Sequence, residues 1–277
     1  MSDLTPPLAA AGHLLERYSA FAVDLDGVIW RGDVFLDGAI DGLAAIRATG
    51  KPLIVMTNNG SYLPEEIVER LGNAGFELEI SEVLTSSLVA RRWITEQGLE
   101  GGSGFILGPH TVAIQFADLL ELLPIEEGYS ADVVLVGRDV DFTYERLRVA
   151  ANSIRTGGRF LALNWDPVMP VHGGRVVPGT GSIVAAMETA SGVKPVVMGK
   201  PNPPMMEAGA KILGQSPVLM IGDRIEADIM GARSMGWGAA LALTGLTQSP
   251  SGEPAPDYVL ESLGALARVP EKDSTLR

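Results

Sequence analysis

Cysteine is absent from the sequence of 277 residues. Its absence excludes disulfide bonds, metal sites built on thiolates and cysteine nucleophiles. It also agrees with a reducing compartment. A chain of this length can bury a substantial core without such bonds, in one large domain or two modest ones.

Histidine is scarce as well, and the three histidines are His13, His110 and His172. His13 precedes the first predicted strand and His110 follows a Gly-Pro turn, so we expect both to be structural or exposed. His172 lies in the turn-rich stretch over residues 167–181. It either contacts a ligand or has a structural role.

Long apolar runs are also missing. No run reaches the roughly 18 residues that a membrane-spanning helix requires. The first 20 residues lack a basic start, and Glu16 and Arg17 interrupt their apolar positions. We therefore expect no signal peptide, no membrane contact and a soluble, cytoplasmic protein.

Positive charge is in short supply. Lysine and arginine number 21 against 34 aspartate and glutamate residues, which gives a formal net charge of -13. An acidic surface repels nucleic acids and anionic lipids. Neither is expected as a partner.

Predicted strands and helices alternate at both ends of the chain. The predicted helices cover residues 37–49, 64–75, 204–214 and 225–235, and the predicted strands cover 20–23, 52–56, 218–221 and 239–243. This alternation indicates the α/β class, with a parallel sheet that is covered by helices on both faces.

A long insertion interrupts the pattern, because 140 residues separate Asn59 from Lys200. Its predicted elements are strands over 105–107, 133–136 and 160–163, a helix over 144–154 and a turn-rich stretch over 167–181. The insertion is therefore predicted to form a second α/β domain. We place it at residues 97–190, with the first domain formed by residues 1–96 and 191–277.

Two carboxylates follow the first predicted strand. Asp24 and Asp26 stand two residues apart, where the apolar run 20–23 ends in a turn that contains Gly27. Alternation along a strand directs both side chains to the same side, and Gly27 lets the chain leave sharply. Such a pair could hold a divalent cation, with one carboxylate attacking an electrophile while the other carries protons. Alternatively, the pair only favours a turn.

Three further polar clusters each follow their own apolar run. They are Thr57-Asn58-Asn59-Gly60, then Gly199-Lys200-Pro201, and finally Gly222-Asp223-Arg224 with Glu226 and Asp228. The first offers donors to phosphate oxygens, the second a cation and the third another metal ligand. Each could instead be an ordinary turn, loop charge or helix start. Because the carboxyl ends of parallel strands line one crevice, we predict that all four clusters serve one site.

The four clusters, in this order, resemble the motifs of the haloacid dehalogenase-like phosphatases. Within that superfamily, the Thr-Asn-Asn and Gly-Lys-Pro triplets and the segment Pro178-Gly179-Thr180-Gly181-Ser182 make the chain similar to the NagD-like or para-nitrophenyl phosphatase branch. The resemblance runs from Phe21 to Thr244. It implies a Rossmann-like parallel-sheet core and an inserted α/β cap domain over the crevice.

The resemblance also implies a reaction, the hydrolysis of a small phosphorylated metabolite through an aspartyl-phosphate intermediate with Mg²⁺ as cofactor. Asp24 is the expected nucleophile, and Asp26 the expected general acid and base. The other implied roles are metal ligation by Asp24, Asp223 and the Asp26 carbonyl, orientation of the metal ligands by Asp228, and substrate binding by Thr57, Asn58, Asn59 and Lys200.

The resemblance implies that two cap residues, Arg138 and Met169, contact the leaving group of the substrate. Alternatively, Arg138 is a solvated surface charge and Met169 fills a gap in the core. A buried arginine needs an anion or a strong acceptor. Arg138 therefore favours a substrate with a second anionic or polyhydroxyl end, such as glycerol phosphate or phosphoglycolate, with nucleotides and sugar phosphates as alternatives. We expect Trp165 to pack in the cap core. The branch also suggests a homodimer that pairs through the cap.

Two other classes of protein share parts of this pattern. A receiver domain that accepts a phosphoryl group also joins acidic residues, a threonine and a lysine around Mg²⁺. It needs no insertion of 140 residues, and an acid at Asp26 disfavours a long-lived phospho-aspartate. A non-catalytic binding protein of the same fold is not supported, because all the charged motif residues are retained.

Overall fold

The computed structural model describes residues 11–171, 175–247 and 249–268. The strands in chain order are β1 Ala20–Asp24, β2 Trp30–Arg31, β3 Val34–Phe35, β4 Leu53–Thr57, β5 Val83–Thr85, β6 Ser103–Leu107, β7 Glu121–Leu122, β8 Val133–Val136, β9 Arg159–Ala162, β10 Val168–Val171, β11 Arg175–Pro178, β12 Val196–Val197, β13 Val218–Gly222, β14 Gly238–Ala242 and β15 Tyr258–Leu260.

The α-helices are α1 Gly12–Arg17, α2 Ala39–Ala48, α3 Pro64–Asn73, α4 Ser86–Glu96, α5 His110–Ala113, α6 Tyr144–Arg155, α7 Thr180–Ser191, α8 Pro203–Leu213 and α9 Met230–Ser234. Short 3-10 turns cover Ile80–Glu82, Ile114–Phe116, Gly128–Ser130 and Leu263–Ala267, and a π-helical turn covers Ile225–Ile229. Within the described ranges, no helix combines the length and the apolar character that a bilayer crossing requires.

The larger sheet has six strands in the order β15-β14-β13-β1-β4-β5. Strand β1 pairs in parallel with β13 on one side and β4 on the other, and β14 and β15 continue the parallel sheet. Strands β1, β4 and β13 are buried along their whole length. Apolar residues on both faces are what a parallel sheet between two layers of helices requires. The predicted α/β class is confirmed.

The register of this sheet brings two of the predicted site residues to one edge. Asp24 ends β1 opposite Met56 of β4, while Val23 lies opposite Ile221 of β13. Asp223 follows β13 directly. Because the strands are parallel, the two carboxylates leave the sheet at the same edge.

The smaller sheet has five strands in the order β12-β9-β8-β6-β7, and every neighbouring pair in it is parallel. Helices α6 and α7 pack against it through an apolar core. That core includes Phe105, Val134, Val149, Ile154, Phe160, Val184 and Met187. The insertion therefore has an α/β core of its own, as predicted.

Two antiparallel pairs complete the described strands, β2 with β3 and β10 with β11. The β10–β11 pair corrects the prediction of a turn-rich stretch over 167–181, and α7 already begins at Thr180. Proline and glycine led to that prediction. A two-stranded pair can accommodate proline, because one edge of each strand needs no ladder hydrogen bond.

Contacts between residues divide the chain into two compact units. The first comprises Met1–Met56, Val68–Val83 and Met206–Arg277, and the second comprises Thr57–Ile67 and Leu84–Met205. The division passes through β4 and β5. The limits of the inserted domain at residues 97 and 190 stay a prediction.

Candidate active site

Three carboxylates of the first unit converge. Ligand oxygen atoms of Asp24, Asp223 and Asp228 lie within 4.8 Å of one another, and all three residues are buried. Carboxylates this close repel one another, and burial strengthens the repulsion unless a cation compensates it. A set of clustered carboxylate oxygens is what a hard divalent cation prefers. These three residues therefore fit a metal site.

Two glycines make room for the Asp223 carboxylate. Its Oδ2 accepts a hydrogen bond from the Leu246 N–H at 2.6 Å. A Cβ on Gly245 would lie 1.8 Å from that oxygen, and a Cβ on Gly27 would lie 2.5 Å from it. Gly27 also has a φ of 94°, which side chains rarely allow. The turn after Asp24 and the loop at Gly245 thus form a cradle that any larger residue would fill.

The turn after β13 returns Asp228 to the same place. Residues Ile225–Ile229 form a π-helical turn, where the sequence predicted the start of an α-helix. The Arg224 N–H donates to Asp228 Oδ2 at 3.0 Å, and a Cβ on Gly222 would lie 2.1 Å from Asp228 Cγ. A π-helical turn widens the backbone locally and is frequent at functional sites. Asp228, which the sequence predicted to orient the metal ligands, is itself one of the three clustered carboxylates.

Asp26 has different surroundings. In the described part of the chain, its carboxylate does not belong to the group formed by Asp24, Asp223 and Asp228. It is half-buried, and its Oδ1 accepts a hydrogen bond from Trp30 Nε1 at 3.2 Å. Two carboxylates two residues apart therefore have distinct environments, as a division of chemical roles requires.

The predicted phosphate loop lies in the second unit and is shaped by its own hydrogen bonds. Thr57, the last residue of β4, is buried, and its Oγ1 accepts the Asn59 N–H at 3.0 Å. Asn59 Oδ1 in turn accepts the Ser61 N–H at 3.0 Å. Local bonds of this kind define a turn before any ligand binds.

The side chain of Asn58 holds the backbone of Lys200. Asn58 Oδ1 accepts the Lys200 N–H at 2.7 Å, and Asn58 Nδ2 donates to the Lys200 carbonyl at 3.0 Å. A Cβ on Gly199 would lie 2.6 Å from Asn58 Oδ1, so glycine is required for this approach. Both Asn58 and Lys200 are buried. The structure thus brings together these two predicted residues of the second unit.

Four polar side chains that the sequence did not identify as site residues hold the same loop. The contacts are Ser86 Oγ and Asn164 Nδ2 on the Asn58 carbonyl, at 3.0 and 2.8 Å, and Ser87 Oγ and Gln115 Nε2 on the Gly60 carbonyl, at 2.7 and 2.9 Å. All four donors are buried. Two serines at a helix start carry no chemical signal of their own, so only the fold reveals their role.

The predicted cap residues lie in the second unit. Arg138 follows β8 and is half-buried, and Met169 lies in β10 and is partly exposed. Trp165 is 41% exposed, so the expectation that it packs in the cap core is wrong. It lies in the loop before β10, where the Asn164 side chain accepts a backbone hydrogen bond and turns the chain. His172 lies outside the described residues.

Comparison with known proteins agrees with the motif order along the chain. The family profile described as haloacid dehalogenase-like hydrolase matches residues 21–119, and a second HAD-hydrolase-like profile matches residues 197–266. The acid sugar phosphatase of Staphylococcus saprophyticus is 30% identical over 263 residues, which is 93% of this chain and 100% of that protein.

Solved structures of the same kind superimpose closely. The p-nitrophenyl phosphatase from Archaeoglobus fulgidus has a TM-score of 0.82 at 28% identity, covering 90% of this chain and 98% of its own. The glycerol phosphate phosphatase from Mycobacterium tuberculosis, solved in complex with magnesium, has a TM-score of 0.79 at 30% identity, covering 91% of this chain and 77% of its own. The chain therefore belongs to the haloacid dehalogenase-like hydrolases, in the branch of the NagD-like and para-nitrophenyl phosphatases, and is an enzyme of the phosphatase class.

Proposed function

We propose that the protein hydrolyses a small phosphate monoester with a polyhydroxyl or second anionic end, with Mg²⁺ as cofactor and Asp24 as nucleophile. The observation that carries the proposal is the convergence of Asp24, Asp223 and Asp228 within 4.8 Å. Three buried carboxylates in so small a space call for a cation. A phosphate ester carries the anionic oxygens that would complete the coordination of that cation.

The metal ligands we assign are Asp24, Asp223 and the backbone carbonyl of Asp26, with Asp228 fixing their geometry. Bound Mg²⁺ would neutralise charge on the phosphoryl oxygens and so make the phosphorus more electrophilic. The Leu246 N–H holds Asp223 Oδ2 at 2.6 Å. That contact keeps one ligand in place without adding charge.

The reaction follows from the two carboxylates after β1. Asp24 attacks the phosphorus, the bond from phosphorus to the ester oxygen breaks, and Asp26 gives its proton to that leaving oxygen. The Asp26 carboxylate then takes a proton from water, which attacks the aspartyl-phosphate. Inorganic phosphate leaves, Asp24 is regenerated and Asp26 is again protonated.

Lys200 and the loop that begins at Thr57 supply the phosphate contacts in this proposal. Lys200 balances charge on the phosphoryl group, and the Thr57 hydroxyl and the Asn58 backbone N–H bind its oxygens. The Asn58 side chain supports the assignment of Lys200, since it bonds the Lys200 backbone at 2.7 and 3.0 Å. Asn59 is assigned to the same phosphate loop, where its side chain shapes the turn.

The substrate class rests on Arg138 and on the relatives. Arg138 is half-buried, and a guanidinium withdrawn from water needs an acceptor, which a polyhydroxyl or anionic leaving group provides. Two similar proteins are an acid sugar phosphatase and a glycerol phosphate phosphatase, and both names describe such leaving groups. Met169 would add an apolar contact beside it. Within this class we therefore favour sugar phosphates and glycerol phosphate, and we place nucleotides outside it.

The test is phosphate release from a panel of esters, with Mg²⁺ and with a chelator. The panel contains glycerol phosphate, sugar phosphates, phosphoglycolate, nucleotides and 4-nitrophenyl phosphate. We expect metal-dependent release that is fastest for the polyhydroxyl esters. Asp24→Asn should fall to background, because an amide is a poor nucleophile and a weak metal ligand.

The matched control is Asp41→Asn, which makes the same change on the exposed first turn of α2. It should keep wild-type release. Turnover by Asp24→Asn comparable with that of Asp41→Asn would contradict the assignment of the nucleophile. A preference for nucleotides would leave the reaction standing and overturn the substrate class.

A further inference from the structure

The indole of Trp30 contacts the carboxylate that is proposed to carry protons. Trp30 Nε1 donates to Asp26 Oδ1 at 3.2 Å. The loop between them is closed by the backbone, since the Gly27 N–H donates to the Trp30 carbonyl at 2.7 Å. The contact is therefore built into the turn that follows Asp24.

Trp30 is itself held on several sides. It is fully buried, and its ring meets Phe35 edge-on with centroids 5.7 Å apart. The guanidinium carbon of Arg70 lies 4.0 Å from the centroid of the same ring. Arg70, on α3, also donates to the Gly32 carbonyl at 2.8 Å, between β2 and β3. Burial, an aromatic edge contact and a cation over the ring together fix the plane of the indole.

We propose that Trp30 is a positioning residue for Asp26, whose indole N–H fixes the rotation of the carboxyl group that exchanges a proton with the leaving oxygen. The proposal rests on the proposed function, because it assigns a partner to the general acid named there. A carboxyl group on a single Cβ–Cγ bond rotates readily in a half-exposed loop. A buried donor on one oxygen selects the orientation in which the proton faces the reacting bond.

This role has a consequence that a merely structural role lacks. An alkyl phosphate such as glycerol phosphate expels a strongly basic alkoxide, so breaking its ester bond depends on the acid. The 4-nitrophenolate ion is a weak base and leaves without a proton. The ratio kcat/KM reports the steps up to the first loss of leaving group. A misplaced Asp26 must therefore lower kcat/KM for the alkyl ester and spare it for the aryl ester.

The experiment compares kcat/KM of Trp30→Phe on glycerol phosphate and on 4-nitrophenyl phosphate. We expect a loss of about 10-fold to 100-fold for the alkyl ester, the scale of a misplaced catalytic group. For the aryl ester we expect a change of about twofold or less, since no proton is needed there. Equal losses on both esters, or no loss on either, would overturn the proposal.

Because Trp30→Phe also removes packing, a second variant keeps the shape. Trp30→3-benzothienylalanine replaces the indole N–H by sulfur in a ring of the same size, so the donor alone is lost. It should show the same split between the two esters. The matched control Trp237→Phe changes the other buried tryptophan of the first unit and should leave both values of kcat/KM unchanged. Wild-type kinetics in the benzothienyl variant would sink the proposal even if Trp30→Phe is impaired.

Asp26→Asn separates this proposal from the function on which it rests. If Asp26 is the general acid, Asp26→Asn must itself show the loss on the alkyl ester and spare the aryl ester. No split in Asp26→Asn means that the proposed role of Asp26 is wrong. A split in Asp26→Asn without one in the Trp30 variants means that only the role of Trp30 is wrong.

Discussion

Glycine determines at the residue scale how closely the carboxylates can approach. Gly27, Gly222 and Gly245 each lie where a Cβ would come within 2.5 Å of Asp223 or Asp228. Asp223 is short, and its Oδ2 is fixed by the Leu246 N–H. The Asp223 carboxylate therefore cannot move aside for a neighbouring atom as easily as the end of a long, flexible side chain would. The cluster of Asp24, Asp223 and Asp228 therefore depends on glycine at these three positions as much as on the carboxylates themselves.

Gly245→Ala tests this dependence. The added methyl would lie 1.8 Å from Asp223 Oδ2, so the carboxylate must leave its present position beside Asp24 and Asp228. We expect affinity for Mg²⁺, measured by titration calorimetry, to fall about 10-fold to 100-fold, the usual effect of disturbing the support of a metal ligand. Overpacking should also lower the free energy of unfolding by about 1 to 3 kcal/mol.

The control is Gly72→Ala on α3, where a Cβ would meet nothing within 4 Å. Alanine favours a helix over glycine by about 0.5 to 1 kcal/mol. Gly72→Ala should therefore keep or raise stability and leave Mg²⁺ affinity unchanged. Unchanged Mg²⁺ affinity in Gly245→Ala would show that Asp223 does not hold the metal.

The sequence predicts some of these residues and not others, for a physical reason. Asp24 ends β1 and Asp223 directly follows β13, so their shared edge follows from the alternation of strands and helices. The tether from Asn58 to Lys200 joins residues 142 positions apart, and no local pattern encodes it. The same holds for Trp30, whose role depends on where Arg70 and Asp26 lie after folding.

At the scale of elements, an ion pair joins α2 to the turn before β5. Arg47 Nη1 and Nη2 donate to the two oxygens of Glu82 at 2.6 and 2.7 Å. The Glu79 N–H also donates to Glu82 Oε2, at 2.9 Å. Burial alone would raise the pKa of Glu82, but the hydrogen bonds from Arg47 and Glu79 outweigh it and lower the pKa from its ordinary value of 4.5.

A lowered carboxyl pKa makes stability depend on pH in one direction. The contribution of Glu82 is present above the ordinary value of 4.5 and is lost as pH falls through the lower, folded value. Glu82→Gln should reduce the free energy of unfolding at neutral pH by about 0.5 to 1 kcal/mol, since the pair is still partly exposed to solvent. The difference in the free energy of unfolding between Glu82→Gln and wild type should shrink as the pH falls below the ordinary carboxyl value of 4.5, as urea unfolding would measure.

Glu69→Gln on the exposed face of α3 provides the matched control, and it should change the free energy of unfolding at neutral pH by about 0.5 kcal/mol or less. A Glu82→Gln difference that stays constant down to acid pH would mean that the pair does not stabilise the fold.

The elements themselves were predictable to different degrees. Helices α2, α3 and α8 and four strands of the six-stranded sheet, β1, β4, β13 and β14, follow from apolar periodicity and from glycine and proline near their ends. Strands β5 and β15, of three residues each, are too short to show such a pattern and were not predicted. The β10–β11 pair was not predicted, because its prolines favoured a loop in the sequence pattern. The π-helical turn Ile225–Ile229 was not predicted either, because its backbone hydrogen bonds span five residues where those of an α-helix span four.

At the scale of the whole molecule, one chain folds into two compact α/β units. The carboxylates proposed as nucleophile, general acid and metal ligands belong to the first unit. Lys200, Thr57 and the proposed specificity residues Arg138 and Met169 belong to the second. Length indicated the second unit, because 140 residues between two motifs exceed what a connection needs. Pairing of two copies through the cap stays a prediction.

The central claim, that Asp24 becomes phosphorylated, is tested most directly by trapping the intermediate. In Asp26→Asn with 4-nitrophenyl phosphate, transfer to Asp24 needs no acid, whereas hydrolysis of the aspartyl-phosphate has lost its base, so the intermediate should accumulate. Acid quenching and borohydride reduction would convert the phosphorylated aspartate to homoserine, which peptide mass spectrometry locates. We predict homoserine at position 24, only with substrate present. Homoserine at another carboxylate, or nitrophenol release with none at all, would contradict the account.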